Sequence, residues 1–495
     1  MTALILLVAL GILGWGYYRS RPFGKLGLLS WLQSVAIMVP WLVFFGLFAV
    51  GIDLNLAGIL LTLLISTGFY IYLGRQLREV AQQSTLNSTP KPEADSESEL
   101  GDRPSAAADE MPSPSAKSEI TEGVTNPIPA EDLKAIQGIF GIDTYFCTET
   151  IPYQEGAIFR GNLRGDAPTV HAQLSQQLHD KVGDRYRLFL VQGGEKKPVV
   201  IILPSRTDPK TTTLPQKILA GVLFLATIAT CIETAGLLQG FDSFSSYDRI
   251  PAAIPVALGI LAILVGHDLG HHVMARRHQV RISLPFFIPT WQIGSLGSFF
   301  RFESLLPNRS ILFDIAFAGP AVGGILSLIL LVTGLILSQG AGVFQLPSEF
   351  FQGSILVGML ARIVLGDALQ QPMIAIHPLV IVGWIGLVVT AINLMPAGQL
   401  DGGRIVQSIY GRKVAQWGTV ATLVVLAIAS LVNSLALYWA IVIFVLQRDL
   451  ERPSLEDISE PDDARAALGL LALFLMAATL LPVTPSLAGR LGIGG

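Results

Sequence analysis

Three histidines fall close together in one apolar run, "AAIPVALGILAILVGHDLGHHVMARRHQV": His267, His271 and His272. His267 and His271 are four residues apart, so on a helix they share one face. Two imidazoles at that spacing can bind one tetrahedral zinc ion. Directly after the first stands Asp268. In H-E-x-x-H metallohydrolases the carboxylate at that position is the general base that takes a proton from the attacking water. The motif here is H-D-L-G-H, so the carboxylate is present but one methylene shorter. Ionisable side chains inside an apolar helix are costly, and they mark function more often than not. The plainer alternative is a helix end whose histidines meet the membrane interface.

A second constellation lies downstream in "TAINLMPAGQLDGGRI", where Asp401 sits at the Gly-rich, Pro-interrupted end of an apolar run. Non-helical backbone at membrane depth is tolerated where it lines a cavity. An aspartate there can supply a third ligand, and a His₂–carboxylate set leaves the fourth position open for water, as catalytic zinc requires. The alternative is that Pro396, Gly402 and Gly403 merely end one helix and Asp401 caps the next.

Taken together, H-x-x-x-H followed by N-x-x-P and L-D-G resembles the site-2 protease family of intramembrane metalloproteases. "GNLRG" at Gly161–Gly165, "PFFIPTWQIGSLGSFFRFESLLPNR" and "FDIAFAGP" resemble its chloroplast and cyanobacterial branch, the EGY-type proteases. The resemblance covers roughly 130–450. It implies a zinc endopeptidase that cuts transmembrane segments of membrane-protein substrates, with ligands His267, His271 and Asp401. Asp268 then stands in place of the family's catalytic glutamate. Asn393 and Pro396 match the N-x-x-P element, which shapes the unwound helix end; the asparagine is expected to bind the substrate carbonyl or its oxyanion. The stretch Arg281–Glu303 is implied to form membrane-dipping strands beside the site, where an unwound substrate adds as a further strand; an ordinary interfacial loop is the alternative.

Two other functions stay open from sequence. A shorter base can misplace the proton transfer, and small misplacements cost about 10²-fold; the branch also includes members without the metal motif. A zinc-binding pseudoprotease or scaffold is therefore one alternative. An ion transporter is another, although no inverted repeat relates the two membrane regions.

These residues need a membrane scaffold to hold them. The chain of 495 residues is 51% hydrophobic and only 14% charged, against about 25% charged in soluble domains. Ser30–Ile52 holds no charge at all, enough for one span of roughly 20 residues. The expected fold is mainly α, a polytopic transmembrane helical bundle with a small α/β soluble module inserted between two membrane regions. N-terminal spans occupy 1–79, at about 2–18, 30–51 and 55–74. An acidic, Pro/Ser-rich tether follows at 80–128, too polar to order itself. The soluble module is 129–212, with strand-like "GAIFRGNL", "RYRLFLVQ" and "KPVVIILPS". The catalytic core is 213–450, with spans near 214–238, 251–275, 310–337, 377–396 and 414–446. The last of these divides in two if it breaks near Asn433, and 355–366 can hold a further short helix. A C-terminal span at 465–483 lies within 451–495.

Arg and Lys counting puts the module and the metal site on one side, cytoplasmic or stromal. Cys147 and Cys231 are not expected to pair. His272 reads as interfacial, with a partner supporting the metal site as the alternative; His377 also reads as interfacial, His278 as solvated beside Arg276 and Arg277, and His171 and His179 as two turns of a surface helix. The expected partners are the lipid bilayer and membrane-protein substrates, with no nucleic acid. The resemblance implies a multi-pass protein of a cyanobacterial or chloroplast membrane. Substrate identity and oligomeric state are not legible.

Overall fold

The computed structural model describes residues 13–21, 24–49, 66, 69–70, 72–74, 76–77, 128–153, 155–193, 197–290, 293–341, 344–431, 434–447, 449–484, 486, 488–489 and 492–493. The chain forms two compact units, Met1–Glu119 and Ile120–Gly495. In the first, helix α1 (Gly24–Ala49) corresponds to the second expected span. Trp31 in this helix donates from Nε1 to Leu13 O at 2.9 Å. Most of the expected spans at 2–18 and 55–74, and nearly all of the tether at 80–128, lie outside the described residues.

The second unit opens with an α/β module. Helix α2 (Ala130–Gln137) leads into strands β1 (Tyr145–Tyr153) and β2 (Gly156–Leu163). Helix α3 (Ala167–Val182) and strands β3 (Tyr186–Gln192) and β4 (Pro198–Pro204) follow. The strands form one antiparallel sheet in the order β1-β2-β4-β3. Val170, Leu174, Leu178 and Val182 recur every fourth residue along α3, giving the single apolar stripe that an amphipathic helix lays on a sheet. They meet Tyr145, Phe159, Leu190 and Ile202 in a closed core.

Four helices among the described residues are long and apolar enough to cross a membrane: Leu214–Leu238, Tyr247–Arg277, Arg309–Gly340 and Asp463–Leu480. In secondary-structure terms these are α4 (Leu214–Leu238), α5 (Ile250–Arg277), α6 (Arg309–Ala341) and, at the far end, α11 (Asp463–Leu480). Between α5 and α6 lies an antiparallel hairpin of β5 (Phe286–Thr290) and β6 (Gly294–Phe299). The broken segment Arg281–Glu303 is therefore strand, as the resemblance implies, and not a plain loop.

After α6 a small hairpin, β7 (Phe344–Pro347) and β8 (Met373–Ile376), encloses helix α7 (Ile355–Leu365), the suspected short helix. Helix α8 (Pro378–Asn393) ends before Pro396 and is apolar on every side, as befits a helix buried all round. Helix α9 runs from Asp401 to Ala429 with a break at Gly411, whose φ is 81°. Arg309 caps that break: its Nε donates to Ser408 O at 2.7 Å and its Nη2 to Ile409 O at 2.8 Å. Carbonyls freed at a helix end are satisfied in this way by a cation. Helix α10 (Ser434–Val442) is separate. The expected span at 414–446 is thus two helices, the first beginning earlier than expected; Asn433 itself is outside the described residues.

The segment around Leu455 fastens the module to the membrane core. Leu190 in edge strand β3 donates to Leu455 O at 2.7 Å and accepts from Asp457 N at 2.9 Å. On its other flank, Leu455 donates to Leu306 O at 2.8 Å and Glu456 to Pro307 O at 3.0 Å. The strap around Leu455 and Glu456 thus extends the sheet of the module and grips the loop that leads into α6.

Candidate metal centre

Helix α5 presents His267 and His271 to the interior, 6% and 1% exposed. Helix α8 ends beside them because Pro396 has no N–H to continue the helical ladder and disfavours helix in the residue before it. The chain then turns through Ala397–Leu400, and Gly398 N is held by Thr419 Oγ1 at 2.8 Å. Asp401 opens α9 from this turn. It is the first helical residue, with Leu400 as the cap, so its carboxylate is free to point at the histidines and does not close its own helix.

The three side chains converge. His267 Nε2 lies 3.1 Å from Asp401 Oδ2, His271 Nε2 lies 3.4 Å from the same oxygen, and the two Nε2 atoms are 3.2 Å apart. The Nδ1–H of His271 donates to Ile315 O at 2.7 Å, which leaves Nε2 as a lone-pair donor. That lone pair therefore faces a second imidazole nitrogen and a carboxylate oxygen, a set of electron pairs suited to a cation. Ligands bonded to zinc at about 2.0–2.1 Å in a tetrahedron lie roughly 3.3 Å from one another. The observed separations fit. Among the described residues this is the group of His, Cys, Asp or Glu side chains close enough to hold a metal ion.

Helix α6 closes the site with glycines at the same four-residue spacing as the histidines. A Cβ on Gly319 would sit 2.1 Å from His271 Nε2, and one on Gly323 would sit 2.9 Å from His267 Nδ1. Only hydrogen fits at either position.

Asp268 is also buried, 8% exposed, and both of its oxygens are accounted for. Oδ2 lies 3.1 Å from His272 Nδ1, and Oδ1 lies 3.4 Å from Ser298 Oγ on β6. Asn393, at the end of α8, donates from Nδ2 to Val389 O at 2.9 Å and, less closely, to Leu296 O on β6 at 3.4 Å. At Gly297, φ is 104° and a Cβ would come within 2.4 Å of Asn393 Nδ2, so the strand can pass the asparagine only as glycine.

A family model described as "Peptidase family M50" matches residues 255–433, which contain the whole constellation. A second, "EGY3 middle domain", matches residues 134–210, the α/β module. The probable zinc metalloprotease EGY2, chloroplastic, of Arabidopsis thaliana is 38% identical over 372 residues, covering 73% of this chain and 67% of its own. The probable zinc metalloprotease EGY1, chloroplastic, of the same plant is 37% identical over 401 residues, covering 73% of each. The chain belongs to peptidase family M50. The probable zinc metallopeptidase EGY3, chloroplastic, of Arabidopsis thaliana is more distant, 29% identical over 71% of this chain and 66% of its own. No solved structure matches the chain.

In this M50 protein the residues expected at the site are brought together, with further ones that sequence did not single out. His272, read as interfacial, pairs with Asp268. His278, read as solvated, pairs with Asp314 at 3.1 Å on α6. His377 caps α8, accepting from Leu379 N at 3.3 Å. Cys147 and Cys231 are both free. Gly319 and Gly323 were legible as small residues spaced by four in an apolar helix, the pattern of close helix approach. Ser298 and Arg404 carried no signal; only the fold places them.

Proposed function

We propose that this chain is an intramembrane zinc metalloendopeptidase that cuts membrane-spanning segments of other proteins. The observation that carries it is the buried meeting of His267, His271 and Asp401 at zinc-ligand separations inside an M50 chain. Zinc held there supplies Lewis-acid polarisation of the scissile carbonyl and an activated water. The chain's own residues do the rest. Asp268 takes the proton from that water at Oδ1, the oxygen with the longer of its two contacts. His272 holds Oδ2 and sets the direction of the carboxylate.

Asn393 ties β6 to the end of α8 and donates to the substrate carbonyl by exchanging its long contact with Leu296 O. Pro396 shapes the turn that frees Asp401. A peptide bond within a helix is shielded by its own backbone, so the substrate must unwind before attack; strand β6 offers a backbone edge on which an extended chain can lie. The chain's core at 213–450 does the chemistry, and the module at 129–212 regulates access to it.

The protein is a multi-pass membrane protein, a reading supported by its apolar helices and by its family. Arg276 and Arg277 end α5, Arg301 lies in the connection that follows and Arg309 begins α6, a run of basic residues that supports a cytoplasmic or stromal placement of site and module. The relatives named chloroplastic support a plastid or cyanobacterial membrane. The test is cleavage of a single-span reporter in proteoliposomes. Hydrolysis within the span that a chelator stops and zinc restores is the expected result; a reporter left intact by zinc-loaded protein across a panel of spans would contradict the proposal.

A further inference from the structure

A cavity of about 240 Å³ opens where the module, the β5–β6 hairpin and the start of α9 meet. Its wall includes Lys210, Arg301, Arg452, Gln399, Phe302 and Glu451. The three cations are exposed at the rim, and none forms an ion pair among the described residues. Among the described residues the guanidinium of Arg301 donates to the amide oxygen of Gln216 at 3.2 Å and that of Arg452 to Thr207 O at 2.7 Å, both neutral acceptors. The carboxylates close by are already engaged. Glu451 is neutralised by Arg404 at 3.0 Å, and Glu303 accepts from Thr212 N at 2.7 Å. Hydrogen bonds leave the charge of Glu303 in place, but the three unpaired cations outweigh it, and the cavity is net positive.

Its position relates it to the site. Gln399 stands two residues before Asp401, and Phe302 follows β6 by way of Phe300, whose ring lies 4.6 Å from that of His271. A chain laid along β6 toward its Phe299 end leads directly into this cavity. The residues named from its wall belong to none of the four long apolar helices, so an acyl chain has no surface to follow there.

We propose that this cavity receives acidic residues flanking the membrane segment of a substrate, on the module's side of the membrane. This rests on the peptidase reading and adds to it a substrate class: spans followed or preceded by Asp and Glu. Exposed charge pairs each contribute modestly, so three together give roughly tenfold in affinity.

The test uses the full-length, zinc-loaded protein in phosphatidylcholine nanodiscs, with fluorescent single-span peptides flanked by four Glu, four Gln or four Lys. Anisotropy should show the Glu peptide binding about tenfold tighter than the Gln peptide. The Lys210→Glu/Arg301→Glu double variant, with its zinc content intact, should invert the order in favour of Lys. If that variant loses zinc, Lys210→Gln/Arg301→Gln should instead abolish the preference. Equal binding of all three peptides, or an order unchanged by the substitutions, overturns the proposal. So does a preference erased by a few phosphatidylglycerol molecules per disc, which would assign the cations to lipid headgroups. A charge preference without cleavage of any peptide sinks the peptidase reading and leaves the cavity's assignment standing; cleavage without a preference does the reverse.

Discussion

The guanidinium of Arg404 and the carboxylate of Glu451 meet at 3.0 Å in an ion pair whose side chains are 2% and 11% exposed. Arg404 lies one turn beyond Asp401 on α9, donates to Phe300 O at 3.0 Å, and stacks 4.2 Å from the Phe300 ring. Glu451 begins the strap that joins the module to the core. One buried pair thus ties together the helix that begins at Asp401, the ring packed on His271 and the strap.

Removing one partner of such a pair strands a buried charge, which costs about 3–5 kcal/mol. Arg404→Met should therefore lower stability by that order and reduce zinc occupancy. The double variant Arg404→Met/Glu451→Leu should recover much of the loss, because an apolar pair of similar volume is often neutral. Thermal unfolding and metal content of the two variants decide it; a double variant no better than the single would mean that the hydrogen bond to Phe300 O, not the ion pair, is what matters.

Asp268 is the shorter carboxylate at the position of the base. Asp268→Asn keeps shape and loses basicity, so reporter cleavage should fall by about 10²–10⁴-fold with zinc retained. Asp268→Glu restores the longer reach and should keep or raise activity. Cleavage by Asp268→Asn at the wild-type rate would remove the residue from the mechanism.

The glycine pair on α6 gives a steric test. Gly319→Ala places a methyl against the metal-facing nitrogen of His271, and overpacking of this kind typically costs 1–3 kcal/mol. Zinc affinity should drop sharply. Gly221→Ala on α4, where nothing lies within 4 Å, is the control and should leave zinc unchanged. Equal zinc content in both would mean that α6 does not press on the ligands.

In the module, His171 Nε2 lies 3.3 Å from Leu188 O, and burial pushes its pKa below the ordinary value. The unfolded chain then binds more protons than the folded one just below the ordinary histidine pKa of about 6.5. Stability is full above that pH and falls as pH drops through it. Hydrogen exchange at Leu188 and Leu190, corrected for intrinsic rates, should accelerate between pH 7.5 and 5.5 in wild type and much less in His171→Gln. An equal response in both would place the acid sensitivity elsewhere.

How much of this was legible in sequence follows from the range of each interaction. His267 and His271 share a helix face through local geometry alone, and Pro396 with Gly402 and Gly403 announces the turn that carries Asp401. Short-range rules suffice there. They also marked α4, α5, α6 and α11, because a hydrocarbon span imposes length and composition. Pairings set by packing were not legible. His278 stands beside Arg276 and Arg277 in sequence, yet its partner is Asp314 on another helix. His272 and Asp268, by contrast, stand four residues apart on α5, and their pairing lies within the reach of local geometry. The start of α9 at Asp401, and not near 414, depends on Arg309 capping a break that Gly411 alone does not reveal. The strap at Leu455 pairs with strand β3, whose open edge only the sheet order exposes.

The metal content of purified protein tests the centre most directly. Wild type should hold about one zinc per chain, and His267→Ala, His271→Ala and Asp401→Ala should each lose it. His272→Ala and Asp268→Asn, which leave the three donors of the constellation in place, should retain it. Zinc undiminished in Asp401→Ala, or absent from folded wild-type protein supplied with the metal, would contradict a zinc centre built from these three residues.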